Sequence, residues 1–192
     1  MRVAIVQLCS GDNLPENLDR ARQGVMEAAR RGAELVALPE NFAFMRREGS
    51  VFPCAQGPDG ELLTFLSGLA RDSGTWLLGG SFPERIEGDS RVYNTSLVYS
   101  PGGEEIARYR KIHLFDVDLG ANSYRESKHF APGDEVVVAK TPFGGVGLSI
   151  CYDLRFPELY RAHTELGSSF IAVPSAFMPQ TGKDHWEVLL RA

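Results

Sequence analysis

The 192-residue chain is 43% hydrophobic and 23% charged, a balance that excludes a disordered polymer and allows one sizeable core. Its formal net charge of -5 comes from acidic and basic residues interleaved along the chain, which leaves no basic patch for nucleic acid or an anionic membrane. No apolar run reaches the roughly 18 residues needed to span a bilayer, and MRVAIVQL lacks the features of a signal peptide, so a cytoplasmic location is expected.

Residues 2–8 (RVAIVQL) are a β-branched run that predicts a strand. The turn-forming Gly11-Asp12-Asn13 and Pro15 lead into a helix over 16–32, with Leu18, Ala21, Val25, Ala28 and Ala29 on one face and Gly32 closing it. Residues 34–40 (ELVALPE) predict a short apolar strand bounded by Pro39, completing a βαβ unit with parallel strands. An irregular segment rich in Gly, Pro and charge follows over 46–60, then a helix over 61–74 and a strand over 75–82. The runs 91–100 and 104–111 are strand-like, and Pro101-Gly102-Gly103 between them reads as the turn of a hairpin.

Residues 112–134 form an irregular stretch too long for a plain connector, which is expected to be an active-site loop. Two short strands follow around Pro142 and Gly144-Gly145. The segment from Cys151 becomes helical in its later part, SSFIAVPS predicts another buried strand, and KDHWEVLLRA the start of a helix. No repeat, low-complexity tract or linker interrupts the pattern, so 1–192 reads as a single domain of the α/β class, layered from helices and a mixed sheet.

Cys9, Cys54 and Cys151 make neither an even disulfide framework nor a pair at metal-ligand spacing, and the four histidines are scattered. No metal and no cofactor is expected. In GVGLSICYDLRFPE, a strand of small and apolar residues delivers Cys151 to its end, just before a helix that Pro157 can open. Backbone N–H groups at such a turn can meet an oxyanion, and nearby positive charge can lower the thiol pKa; the bland alternative is a buried cysteine acting as a small hydrophobe. Glu40 in LVALPENF ends a strand directly after Pro39, where a rigid carboxylate can take a proton, although a solvated loop glutamate would look the same. Lys111 in YRKIHLFD also ends a strand and can place an ammonium on an oxyanion, or simply snorkel to the surface.

The segments LPENF, YRKIHLFD and SICYDLRFPE resemble, in order and in flanking context, the three catalytic motifs of the nitrilase superfamily of carbon–nitrogen hydrolases. The resemblance runs from AIVQL almost to Ala192. It implies an αββα sandwich, usually assembled as sandwich-on-sandwich dimers, and a Glu40-Lys111-Cys151 triad. It also implies a second, positioning glutamate, for which Glu126 in YRESKHFAPGDE is the match and Glu135 the weaker candidate. Family domains continue beyond this point, so the resemblance further implies that the C-terminal part of the sandwich is missing from this chain.

RKIHLFDVDL, the ESK segment and CYDLRFPEL look most like the branch that acts on ω-amides of α-keto acids and on deaminated glutathione. The implied chemistry is amide hydrolysis through a cysteine thioester, with a small amide as substrate and a homodimer or higher homo-oligomer as the assembly. A nitrilase or N-carbamoyl amine hydrolase would use the same triad, and a catalytically silent scaffold would keep the same fold. For substrate binding the candidates are Tyr152, Arg155, which can grip a carboxylate or sit in a structural ion pair, and Phe115, with Phe42 as a further aromatic that is otherwise core.

Overall fold

The computed structural model describes residues 1–45, 55–57, 60–120 and 122–192. Of the irregular stretch expected over 46–60, residues 46–54, 58 and 59 lie outside the described residues, and Cys54 with them. The chain opens as the expected βαβ unit: β1 (Val3–Ile5), α1 (Leu14–Arg30) and β2 (Leu35–Ala37), with β1 and β2 parallel. Helix α1 starts earlier than its apolar pattern because the Asn13 side chain accepts from the Glu16 N–H and Pro15 falls in the first turn, where it forfeits no hydrogen bond. Its inward face holds Ala21, Val25 and Ala28, with Leu18 and Ala29 half-buried. That face also holds Asn17, whose amide nitrogen donates to the carbonyls of Gly11 and Ala43.

Helix α2 (Glu61–Ser73) matches expectation, but the strand expected over 75–82 is two: β3 (Trp76–Leu78) and β4 (Phe82–Arg85). Between them Gly80 adopts φ +60, and a Cβ there would lie 2.1 Å from the Pro39 carbonyl oxygen, so only glycine lets the chain turn this close to the end of β2. Strand β5 (Val92–Tyr99) forms the expected hairpin with β6 (Glu105–Arg110) on one edge, and pairs with β4 and then β3 along the other. The resulting sheet runs β1-β2-β3-β5-β4, with β6 on β5.

The expected loop over 112–134 is only partly irregular. It contains a second hairpin, β7 (Asp116–Leu119) with β8 (Asn122–Arg125), and a single 3-10 turn at Glu126–Lys128. No apolar run marks it, because along β7 exposed Asp116 and Asp118 alternate with half-buried Val117 and Leu119.

Strands β9 (Val138–Thr141), β10 (Gly144–Leu148) and β11 (Ser168–Ala172) form a second sheet, in the order β11-β10-β9. The two sheets face each other through Leu35, Leu78, Val98 and Tyr109 on one side and Ala139, Val146, Leu148 and Ile150 on the other. On the outer face of the first sheet, α1 and α2 bury Val25, Leu62, Leu66 and Leu69 against Val36, Leu77 and Leu97. Helix α3 (Pro157–Glu165) covers the second sheet, its fully buried His163 seated where a Cβ on Gly147 would come within 2.8 Å of the imidazole. The layers are therefore helix, sheet, sheet, helix, the αββα sandwich implied above. Helix α4 (Pro179–Arg191) follows and has no buried residue.

Strand β11 departs from its reading as a buried strand: Phe170 and Ile171 are 43% and 40% exposed. It pairs on one side only, as does β1, where Ile5 is 81% exposed. The two apolar edges flank a cavity of about 620 Å³ between the sheets. Among the described residues, no helix is long and apolar enough to cross a membrane.

Burial lowers the pKa of His163 below its ordinary 6.5, so the folded protein holds the imidazole neutral. A base whose folded pKa is depressed contributes stability that is complete above its unfolded pKa and is lost as pH falls through the folded one. The melting temperature is therefore expected to drop between about pH 7.5 and about pH 5, and by several degrees less in His163→Gln. Equal drops in the two proteins would show that His163 does not titrate on unfolding.

Candidate active site

Three chain segments converge beside the shared core, each at the end of a strand. Glu40 lies just beyond β2 and is 6% exposed. The Pro39 carbonyl before it accepts from the Ser81 N–H at 3.2 Å, and Asn41 after it, at φ 53, donates from its N–H to Ser81 Oγ at 3.1 Å. The glycine at position 80 thus fixes where the glutamate stands. Lys111 follows β6 directly and is 2% exposed. Its N–H donates to the Asn94 carbonyl at 2.9 Å, and its own carbonyl accepts from the Gly133 N–H at 2.8 Å. Cys151 follows β10 and opens a 3-10 turn, Cys151–Arg155. Its φ of 49 is rare for a residue with a side chain, so the cysteine sits on a strained elbow.

Lys111 Nζ lies 3.0 and 2.9 Å from the two carboxylate oxygens of Glu126 and 3.6 Å from Glu40 Oε1. Glu40 Oε1 accepts from Asn94 Nδ2 at 3.0 Å, and Oε2 accepts from the Ala176 N–H at 2.7 Å. The Cys151 thiol stands close enough to Glu40 for the carboxylate to raise its pKa. Glu126 also accepts from the Phe115 N–H at 2.5 Å, which ties the 3-10 turn at 126–128 to the lysine segment. One cation is thus shared by two carboxylates, one of which reaches the thiol.

Burial works to lower the Lys111 pKa, but Glu40, Glu126 and the thiol together outweigh it and raise the value, so the amine is a permanent ammonium. Burial raises Glu126 above the ordinary carboxylate range, and the attraction of Lys111 only partly opposes it. Burial and then the Glu40 charge push the Cys151 thiol well above its usual value, against the pull of Lys111. The thiol is therefore protonated at rest. This corrects the expectation that nearby positive charge lowers it, since burial and the Glu40 charge outweigh the cation.

Of the residues singled out from sequence, Glu40, Lys111, Cys151 and Glu126 come together. Glu135 does not; it is exposed in the segment before β9. Phe42 is fully buried in the core between the helices and the first sheet and lines no pocket. Phe115 and Tyr152 pack edge to face with ring centres 5.1 Å apart, and Phe156 extends this aromatic wall 5.6 Å from Tyr152. Arg155 lies over the rings of Tyr152 and Phe177 at 5.5 and 5.7 Å, and both of its terminal nitrogens approach His185 Nδ1 at 3.1 Å. Among the described residues no carboxylate pairs with Arg155, so the structural ion pair weighed for it is not formed.

Sequence reasoning missed Asn94 and Ala176. Asn94 has a signal, an amide within a strand-like run; Ala176 has none, because it contributes only its backbone N–H. Among the described residues no group of three or more His, Cys, Asp or Glu gathers where it could hold a metal ion.

The carbon–nitrogen hydrolase family model matches residues 2–192. Over 193 residues the chain is 44% identical to a deaminated glutathione amidase of Synechocystis, a match spanning 98% of this chain and 71% of that protein. It is 41% identical over 192 residues to omega-amidase NIT2 of Xenopus tropicalis, spanning 100% of this chain and 69% of that protein. Among solved structures it is similar to Saccharomyces cerevisiae Nit3, a member of branch 10 of the nitrilase superfamily, with a TM-score of 0.87 and 33% identity over 98% of this chain and 69% of that one.

The raised thiol pKa sets a direct test. The Cys151 thiolate, followed as the 240 nm absorbance of the protein minus that of Cys151→Ala, is expected to appear only well above about pH 9. A midpoint below about pH 8 would mean that Lys111 overrides both burial and Glu40.

Proposed function

We propose that this chain, which belongs to the carbon–nitrogen hydrolase family, cleaves the terminal amide of a small carboxylate-bearing molecule, an ω-amide of an α-keto acid or deaminated glutathione, to carboxylate and ammonia. The observation that carries the reading is the meeting of a protonated thiol, a carboxylate close enough to raise its pKa and a buried ammonium at three strand ends.

Each step asks something of a group already in place. A resting thiol is a poor nucleophile, so Glu40 accepts its proton as Sγ attacks the amide carbon. The carbonyl oxygen becomes an oxyanion beside the Lys111 ammonium and the Tyr152 N–H, which has no acceptor among the described residues. Glu40 returns the proton to the amide nitrogen, the C–N bond breaks, and ammonia leaves a thioester on Cys151. Glu40 then takes a proton from water, which attacks the thioester; the second tetrahedral species collapses to the carboxylic acid, which ionises, and the thiol regains its proton. The sum is one amide and one water converted to carboxylate and ammonium. Glu126 takes no proton in this scheme; it holds Lys111 by two hydrogen bonds and keeps the ammonium aimed at the oxyanion.

The preference for a carboxylate-bearing amide is supported by Arg155, a planar fork of donors lying over two aromatic rings four residues past the nucleophile, with no acidic partner among the described residues. Tyr152 and Phe115 form the apolar wall beside it. A homodimer in the cytoplasm is part of the same proposal; the family resemblance supports the dimer.

Ammonia release should be measured from an α-keto-ω-amide, deaminated glutathione, an N-carbamoyl amine, a nitrile and an uncharged aliphatic amide. The first two are expected to be turned over best, and fastest release from the nitrile or carbamoyl amine would redirect the assignment within the family. Glu40→Gln should lower kcat by about a thousandfold or more in a protein that still folds, and full activity there would remove Glu40 as the base. Arg155→Ala should raise KM for the carboxylate-bearing amides about tenfold or more while leaving the uncharged amide unchanged.

A further inference from the structure

Asp153 has no part in the chemistry above, yet it is fully buried and accepts more hydrogen bonds than any other carboxylate near the site. Its Oδ2 accepts from the Tyr109 hydroxyl at 2.7 Å and from the Ile150 N–H at 2.8 Å. Its Oδ1 accepts from the His113 N–H at 3.0 Å and lies 2.7 Å from His113 Nδ1. The donors belong to two stretches of chain far apart in sequence. Ile150 immediately precedes the nucleophile, whereas Tyr109 and His113 bracket Lys111 at two residues on either side. The Tyr109 hydroxyl also accepts from the Ile112 N–H at 3.3 Å, and the His113 ring stacks on Phe156, just past the elbow, with centroids 3.7 Å apart and planes 8° from parallel.

We infer that Asp153 is the positioning residue that sets the distance between the Cys151 elbow and the Lys111 ammonium. The inference rests on the amidase reading above. The strained φ of Cys151 makes such a clamp necessary: a residue in the left-handed region relaxes unless its surroundings over-determine it. Strand pairing supplies no clamp here, because β6 and β10 belong to different sheets and Lys111 and Cys151 both lie beyond their strand ends. One buried carboxylate that satisfies donors from both segments does this without touching substrate. Removing its charge leaves those donors competing for a single amide oxygen, which a buried network does not tolerate.

The test is Asp153→Asn, isosteric but with one acceptor replaced by a donor. Its kcat for the best amide substrate is expected to fall about 10- to 100-fold with KM within about threefold, while circular dichroism and thermal melting show a folded protein at the assay temperature. Combined with Lys111→Met, the Asn substitution should have little further effect, because the alignment it disturbs has already lost its cation. Independent, multiplying losses would overturn the proposal and leave Asp153 a stability residue. Alkylation of Cys151 by iodoacetamide, which needs no amidase activity, should slow by a similar factor in Asp153→Asn as the thiolate loses the nearby ammonium; an unchanged or faster rate would overturn the clamp. If the unmodified protein releases ammonia from none of the amides yet Asp153→Asn slows alkylation, the clamp stands and the amidase reading fails. Should the Asn variant not fold, Tyr109→Phe removes one donor and keeps the carboxylate. A roughly threefold fall in kcat with unchanged KM is then expected, and no change in kcat would count against the proposal.

Discussion

Lys111 carries its charge at a side chain that is 2% exposed, and the rest of the site is arranged around making that possible. An ammonium removed from water loses several kcal/mol of hydration and persists only where opposite charges stand close by. Glu126 supplies two oxygens within 3.0 Å and Glu40 a third at 3.6 Å. At separations of about 4 Å and an effective dielectric near 20, each such carboxylate is worth about 4 kcal/mol, enough to keep the amine charged. Burial, and after it the Glu40 charge, drives the thiol pKa up against the pull of this ammonium. In the proposed chemistry the thiol is therefore deprotonated only as it attacks, by Glu40, with the Lys111 cation beside the oxyanion.

The scaffold holds this cluster by placing strand ends, and β5 does most of the placing. It lies between β6 on one edge and β3 with β4 on the other, and its Asn94 touches both sides of the site: the side chain donates to Glu40 while the carbonyl accepts from the Lys111 N–H. The second sheet approaches face to face through Val146, Leu148 and Ile150 and delivers Cys151 from β10. Packing between the sheets fixes their separation, and the Asp153 hydrogen bonds adjust it locally where both strands have ended. The loop after β11 completes the site with the Ala176 N–H on Glu40, so the ends of β2, β6 and β10 are joined there by β5, the Glu126 turn and this loop.

The parts legible in the sequence are those whose physics is local. The amphipathic faces of α1 and α2, the βαβ opening and the β5–β6 hairpin follow from apolar period, caps and a Pro-Gly-Gly turn. Glu40, Lys111 and Cys151 stood out because each follows a strand-like run, and their flanking residues resembled known motifs. What stayed hidden depends on distance in space rather than along the chain. Strand β7 is exposed on alternate residues and makes no apolar run. The apolar run of β11 predicted burial because a sequence does not reveal which strand lies at a sheet edge. The direction of the Cys151 pKa shift depends on the burial of the thiol and on how near Glu40 stands, which no single motif encodes. Asn17 and Asp153 are polar residues buried for the hydrogen bonds they make to remote backbone, and pattern reading places such residues at the surface.

In the proposed chemistry the Glu40–Lys111–Cys151 cluster makes a covalent acyl-enzyme. This is tested by intact-mass spectrometry of the protein quenched with acid during turnover of an amide, followed by peptide mapping. A fraction of the protein is expected to be heavier by the substrate mass less ammonia, with the added mass on the peptide carrying Cys151 and absent in Cys151→Ala. Sustained ammonia release by Cys151→Ala, or an adduct mapped to another residue, would contradict it.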